Sequence, residues 1–184
     1  MHNFIFKTGL DHIREFDINY ASLKEGIYNY RYKIDKRFFG LFSDSELSDA
    51  DINVDIVLEK KSRLLILNFI ISGTVKVICD RCLEYFDMPV SSTNDLYVKF
   101  GDENCELTED MVIMSHAEYR INVAQYIYEY INLSVPMKRI HDPDSESGIR
   151  CKERLLCIMN KLEHDMKEKD NGNAIWSELK KIKK

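Results

Sequence analysis

Two cysteines three positions apart, in Cys79-Asp80-Arg81-Cys82, sit between two stretches with the alternation of β-strands. Val75, Val77 and Cys79 recur at every second position before the turn, and a second extended segment with Phe86, Met88 and Val90 follows it. A connection this short joins only antiparallel neighbours. The chain must therefore fold around a hairpin that carries two sulfurs at its tip. Thiolates are soft ligands, and a CxxC turn aims two of them at one atom without strain. That is half of a closed zinc site, which takes four donors.

The rest of the first two thirds also reads as strand. Tyr28, Tyr30, Tyr32 and Ile34 alternate with Asn29, Arg31 and Lys33, and Ile52, Val54, Ile56 and Leu58 alternate again. The tyrosine row has two readings, a base-stacking platform or a core face with hydroxyls at the rim, and the second is the commoner. Residues 64–71 are apolar on both faces, which predicts a central strand, and Gly73 marks a bend or an end to it. Leu96, Val98 and Phe100 extend the pattern, 101–110 reads as an acidic loop, and 111–114 as a short further strand. A short strand is expected at 3–6, with a turn at Gly9. Beyond about residue 114 the period changes to that of helices. Asn122 is placed to cap Val123, Tyr126, Ile127, Tyr130 and Ile131, and Pro136 closes that helix. After a polar connection at 142–150, Leu155, Ile158, Met159, Leu162 and Met166 form a second stripe. A last amphipathic piece holds Ile175, Trp176, Leu179 and Ile182. The expectation is an α+β fold in one domain over 1–184. An antiparallel β-meander fills 1–114, and packed C-terminal helices fill 115–184 together with a His/Cys loop.

Five cysteines in a chain with no visible signal peptide argue against a disulfide framework, and leave metal binding or buried thiols. The early apolar cluster at Phe4-Ile5-Phe6 is too short for a signal, and Asn68 interrupts the longest apolar run, so a soluble cytoplasmic protein is expected. The candidates to complete the site are His141 and Cys151, which flank a polar loop with no core to fill. Cys157 lies among Leu155, Leu156 and Ile158 and reads as a small buried hydrophobe. Cys105 reads as an exposed or half-exposed thiol.

Cys79-Asp-Arg-Cys-Leu-Glu, the segment 122–136 ending Leu133-Ser-Val-Pro136, then His141-Asp142, Cys151 and Trp176-Ser-Glu-Leu-Lys together resemble the YceD family of bacterial large ribosomal RNA accumulation proteins. The resemblance implies a factor needed for 23S ribosomal RNA to accumulate, with ribosomal RNA or a large-subunit ribosomal protein as partner. It implies no catalytic residue and no small-molecule substrate.

Three readings of the site compete. In the first, zinc on Cys79, Cys82, His141 and Cys151 is a structural staple in a non-enzymatic factor, and Arg81 with Lys180, Lys181, Lys183 and Lys184 meets the partner. The net charge of −5 and the acidic stretches at 44–55 and 102–110 suit a basic protein partner. In the second, the CxxC is a redox pair; extended flanks and Asp80 beside the sulfurs oppose this, since such pairs sit at helix N-termini. The third is a metal-dependent nucleic-acid-processing enzyme, for which no HExxH-like cluster supplies the ligands and base.

Overall fold

Strict alternation becomes strand wherever the sequence shows it. The computed structural model describes residues 14–42, 45–47, 49–101, 105–108 and 110–172. They fall into two units, one of Met1–Val77 with Asp87–Met137 and one of Ile78–Phe86 with Lys138–Lys184. The expected strand at 3–6, the segment around Trp176 and the terminal lysines lie outside the described residues.

The chain runs from a 3-10 turn at Arg14–Phe16 through β1 (Asp17–Ile18), β2 (Gly26–Ile34), α1 (Lys36–Phe39), β3 (Ala50–Lys60) and β4 (Leu64–Ile78). It continues through β5 (Tyr85–Gly101), β6 (Cys105–Thr108), β7 (Met111–Ser115), β8 (Ile121–Asn122), α2 (Ala124–Ser134) and α3 (Glu146–Gly172). This is the expected α+β class, a mostly antiparallel sheet followed by helices. Six strands form one sheet in the order β2-β3-β4-β5-β7-β6, and β1 pairs with β8 apart from it. The meander β2-β3-β4-β5 is antiparallel throughout, with Tyr28 opposite Leu58 and Val54 opposite Ile71. One detail departs from a pure meander. β7 runs parallel to β5, and β6 takes the edge as the antiparallel partner of β7. β6 also occupies part of the stretch expected to be loop.

Ile52, Val54, Ile56 and Leu58 of β3 and Leu65, Leu67, Phe69 and Ile71 of β4 are all buried. The other face of β4 is more open than its composition suggests. Leu64 and Ile66 are half-buried and Ile70 is exposed, as on an antiparallel sheet solvated on one side. Within this unit α2 lies on the sheet with Ile127, Tyr130 and Ile131 buried and Glu129 exposed, while Tyr126 is only half-buried. Tyr130 meets Phe69 edge-on at 5.1 Å between ring centroids, and Tyr128 stacks on Phe42 at 4.0 Å. Asn122 stands one residue ahead of the N-cap, which is Val123 and has no side-chain cap bond; the Asn122 side chain accepts from the Ala124 N–H at 3.0 Å. The tyrosines of β2 are half-buried, and Tyr32 stacks on Phe16 at 5.2 Å, so that row belongs to the packing of the unit. No helix among the described residues is long and apolar enough to cross a membrane.

Gly73 neither ends nor breaks its strand. β4 continues through it to Ile78, because Gly73 is the point where β3 comes closest. A Cβ at Gly73 would lie 2.2 Å from the Asp51 carbonyl oxygen and 2.7 Å from the Ile52 Cα, both backbone atoms of the paired strand. Gly73→Ala must push the central strands apart. The expected loss is about 1–3 kcal/mol, the usual range for overpacking, read as a lower urea midpoint at an unchanged m-value.

Candidate metal centre

Few of the apolar residues described in the second unit are buried. Its buried cluster is Cys79, Cys82 and Cys151, with Phe86 and Ile140 packed against them. Cys79 follows the last residue of β4, and the turn Asp80-Arg81-Cys82-Leu83 returns the chain to β5. The Cys79 N–H donates to the Glu84 carbonyl at 2.8 Å, and the Leu83 N–H to the Cys79 carbonyl at 3.0 Å. Leu83 adopts φ 61°, a left-handed conformation that costs a side-chain-bearing residue about 1–2 kcal/mol and glycine nothing.

His141 arrives on an irregular segment fastened to this turn by two reciprocal bonds. The Asp80 N–H donates to the Arg139 carbonyl at 2.8 Å, and the Asp80 carboxylate accepts from the Arg139 N–H at 2.8 Å. The Phe86 ring lies 4.4 Å from the imidazole, centroid to centroid. Cys151 comes from α3, which starts earlier than its apolar stripe suggests. Ser145 caps it, its hydroxyl accepting from the Gly148 N–H at 3.1 Å and donating to the Asp142 carbonyl at 2.7 Å. Cys151 is thus inside the helix rather than ahead of it. Arg154, nearly one turn further on, pairs with Glu84 of the hairpin.

The four expected ligands meet. Cys79, Cys82, His141 and Cys151 are all buried, and their donor atoms lie within 4.8 Å of one another. The Cys79 and Cys151 sulfurs are 3.8 Å apart, and the Cys82 sulfur lies 3.7 Å from His141 Nδ1. Bond lengths of about 2.3 Å to sulfur and 2.0–2.1 Å to nitrogen, at tetrahedral angles, place sulfurs about 3.8 Å apart and sulfur and nitrogen about 3.6 Å apart. The closest pairs meet those edges; the widest exceeds them by about 1 Å, within the reach of small side-chain rotations. Three sulfurs and an imidazole, buried together, fit a tetrahedral soft cation.

Electrostatics prepares the cluster unevenly. Burial pushes the Cys79 thiol up, but the backbone N–H groups of Cys82, Arg81 and His141, with the His141 side chain, outweigh it and bring the thiol down to about 6. Burial, and then the sulfurs of Cys82 and Cys79, push Cys151 up to about 11. Of the two, Cys79 is the more available as a thiolate, and Cys151 is the one whose proton a bound cation would displace.

Two expectations about neighbouring residues change. Cys157 is exposed, since α3 turns it away from the direction of Cys151. Arg81 is half-buried, and the side chain that stands out at the tip is Leu83, 66% exposed. Asp80 and Gly148, which position the ligands, escape a search for ligand types. A Cβ at Gly148 would fall 2.0 Å from the Asp142 carbonyl oxygen, so only glycine lets the loop after His141 approach the helix of Cys151. The Ser145-x-x-Gly148 spacing at a helix start was the available signal.

The sequence model of one protein family, described as large ribosomal RNA subunit accumulation protein YceD, matches residues 67–183. No curated protein and no solved structure matches the chain.

Asp80→Ala removes an acceptor that fixes the His141 segment and should weaken metal affinity about tenfold, the lower end for outer-shell partners of metal ligands. Asp80→Asn keeps an oxygen there and should lose less. Competition with a chromophoric chelator measures both, and equal affinities for all three proteins would remove Asp80 from the site.

Proposed function

This chain belongs to the YceD family, and on that premise we propose that it is a non-enzymatic factor for the accumulation of 23S ribosomal RNA, acting in the cytoplasm during assembly of the large ribosomal subunit. The family match carries this reading. The geometry of the cluster supports the non-enzymatic part. Four buried protein donors within 4.8 Å of one another are enough to complete a tetrahedral shell without water or substrate, and this supports a structural zinc rather than a catalytic one. Zinc is the ion we assign, since a donor set of three thiolates and one imidazole favours it over the hard cations. Cys79, Cys82, His141 and Cys151 hold it, and it supplies a cross-link between the hairpin tip, the His141 segment and α3.

The partner is ribosomal RNA or a large-subunit protein, and Arg81 with Lys180, Lys181, Lys183 and Lys184 are the cations we assign to that contact. A nuclease reading needs an open metal position, and a redox reading needs the CxxC at a helix N-terminus. Here the turn joins two strands.

Cells lacking the protein should show a lowered ratio of 23S to 16S RNA, restored by the wild-type chain. Cys82→Ser should restore it poorly and melt at a lower temperature, because a lost ligand opens the cross-link. A purified protein with no zinc by elemental analysis and full complementation by Cys82→Ser would sink the staple. In the same strain, Arg81→Glu with a normal melt and full complementation would remove Arg81 from the contact.

A further inference from the structure

An imidazole binds a cation through a lone pair that lies in the plane of its ring. Its value as a ligand therefore depends on the tilt of that plane, and the torsion that sets the tilt is broad and weakly held. Among the four donors this freedom belongs to His141 alone. A histidine that binds a metal usually has its tilt fixed by a hydrogen bond from its second ring nitrogen. At this cluster Nδ1 is the nitrogen that faces the sulfurs, 3.7 Å from Cys82 Sγ. Ligation through Nδ1 leaves the proton on Nε2. Among the described residues, no acceptor is bonded to that nitrogen.

What meets the ring is Phe86. The two ring centroids lie 4.4 Å apart with 31° between the planes, so one flat face of the imidazole is covered and its nitrogen-bearing edge is not. A half-turn of the imidazole about Cβ–Cγ would bring a carbon in place of Nδ1 to the sulfurs, and the ring edge would have to sweep through the space Phe86 fills. Phe86 stands at the start of β5, where strand alternation leaves Tyr85 exposed and turns Phe86 inward. It packs on the three cysteines, as does Ile140 beside His141 in the chain. The hairpin that carries Cys79 and Cys82 thus also carries the surface against which His141 is laid. We propose that Phe86 is a positioning residue of the metal centre, whose ring holds the His141 imidazole at the tilt that directs Nδ1 at the site among the sulfurs of Cys79, Cys82 and Cys151. This rests on the reading of the cluster as a structural metal site, and it names what sets the direction of its one nitrogen ligand.

Two substitutions separate the flat face from mere apolar bulk: Phe86→Leu keeps the bulk, and Phe86→Tyr keeps the face. Full-length protein is titrated with zinc against a chromophoric chelator. We expect Phe86→Leu to bind about tenfold more weakly, the lower end for groups that orient a metal ligand, and Phe86→Tyr to match the wild type. With cobalt in place of zinc, the ligand-field absorption of Phe86→Leu should depart from the wild-type spectrum, and that of Phe86→Tyr should not. Long-range proton–nitrogen correlations of the zinc-loaded wild type should show the His141 ring protonated at Nε2 and bound through Nδ1. Binding through Nε2 overturns the proposal, and this measurement needs no variant to fold. Wild-type affinity and spectrum in Phe86→Leu also overturn it, because apolar bulk then suffices. Equal losses in Phe86→Leu and Phe86→Tyr overturn it as well, since the loss is then one of fit and not of ring orientation. A wild-type chain that takes up neither zinc nor cobalt removes the structural metal and this assignment together. One that binds zinc equally in all three forms removes only the role of Phe86.

Discussion

Four donor atoms within 4.8 Å of one another connect parts of the chain that are some sixty to seventy residues apart in sequence. Everything else in the second unit is arranged around that meeting. Its apolar cluster is three cysteines with Phe86 and Ile140 against them, too little surface to order a hairpin tip, an irregular segment and a helix by burial alone. Polar fastenings make up the difference: the reciprocal Asp80–Arg139 bonds, the Ser145 cap and the Arg154–Glu84 pair. The ion pair is partly exposed and contributes little by itself. Its effect is to limit where α3 can lie relative to the turn, which is what a site needing sub-ångström placement requires.

The sheet has the opposite economy. Its strands bury aliphatic side chains at every second position, and no special chemistry is needed beyond room for them. Room for a side chain runs out against backbone at Gly73, where the paired strand β3 approaches, and against the Ile113 side chain at Gly101. Gly148 solves the same problem at the metal cluster. Gly73 and Gly148 share a role, each allowing one backbone to come near another, and Gly73 in addition holds a positive φ of 156°.

The chemistry of the cluster and its surroundings bear on function together. Backbone N–H groups directed at Cys79 favour its thiolate, and such donors also moderate the charge of a thiolate-rich site. An ion held by all four of these protein donors would fix the shape of the turn and have no open position.

The sequence by itself determined the long strands β2 to β5, their order in the meander and the sulfur pair at the hairpin tip, but not β6 or the parallel pairing of β7 with β5. Period-two alternation and a short turn admit only one arrangement of neighbouring strands. It also marked His141 and Cys151 by type and by their polar surroundings. Tertiary structure decided what depends on contacts between distant segments. Nothing local shows that Asp80 bonds to Arg139, or that Gly148 must clear the Asp142 carbonyl. The fate of one outlying thiol and one cation was equally out of reach. Cys157 shares the apolar company of a core residue, yet α3 holds it outward, since a helix advancing 100° per residue separates it from Cys151. Arg81 reads as the exposed apex of the turn, yet the hydrogen-bonded loop closes so that Leu83 stands outermost instead. Local periodicity fixes which way a side chain leaves its own element; only the folded neighbours decide what it meets there.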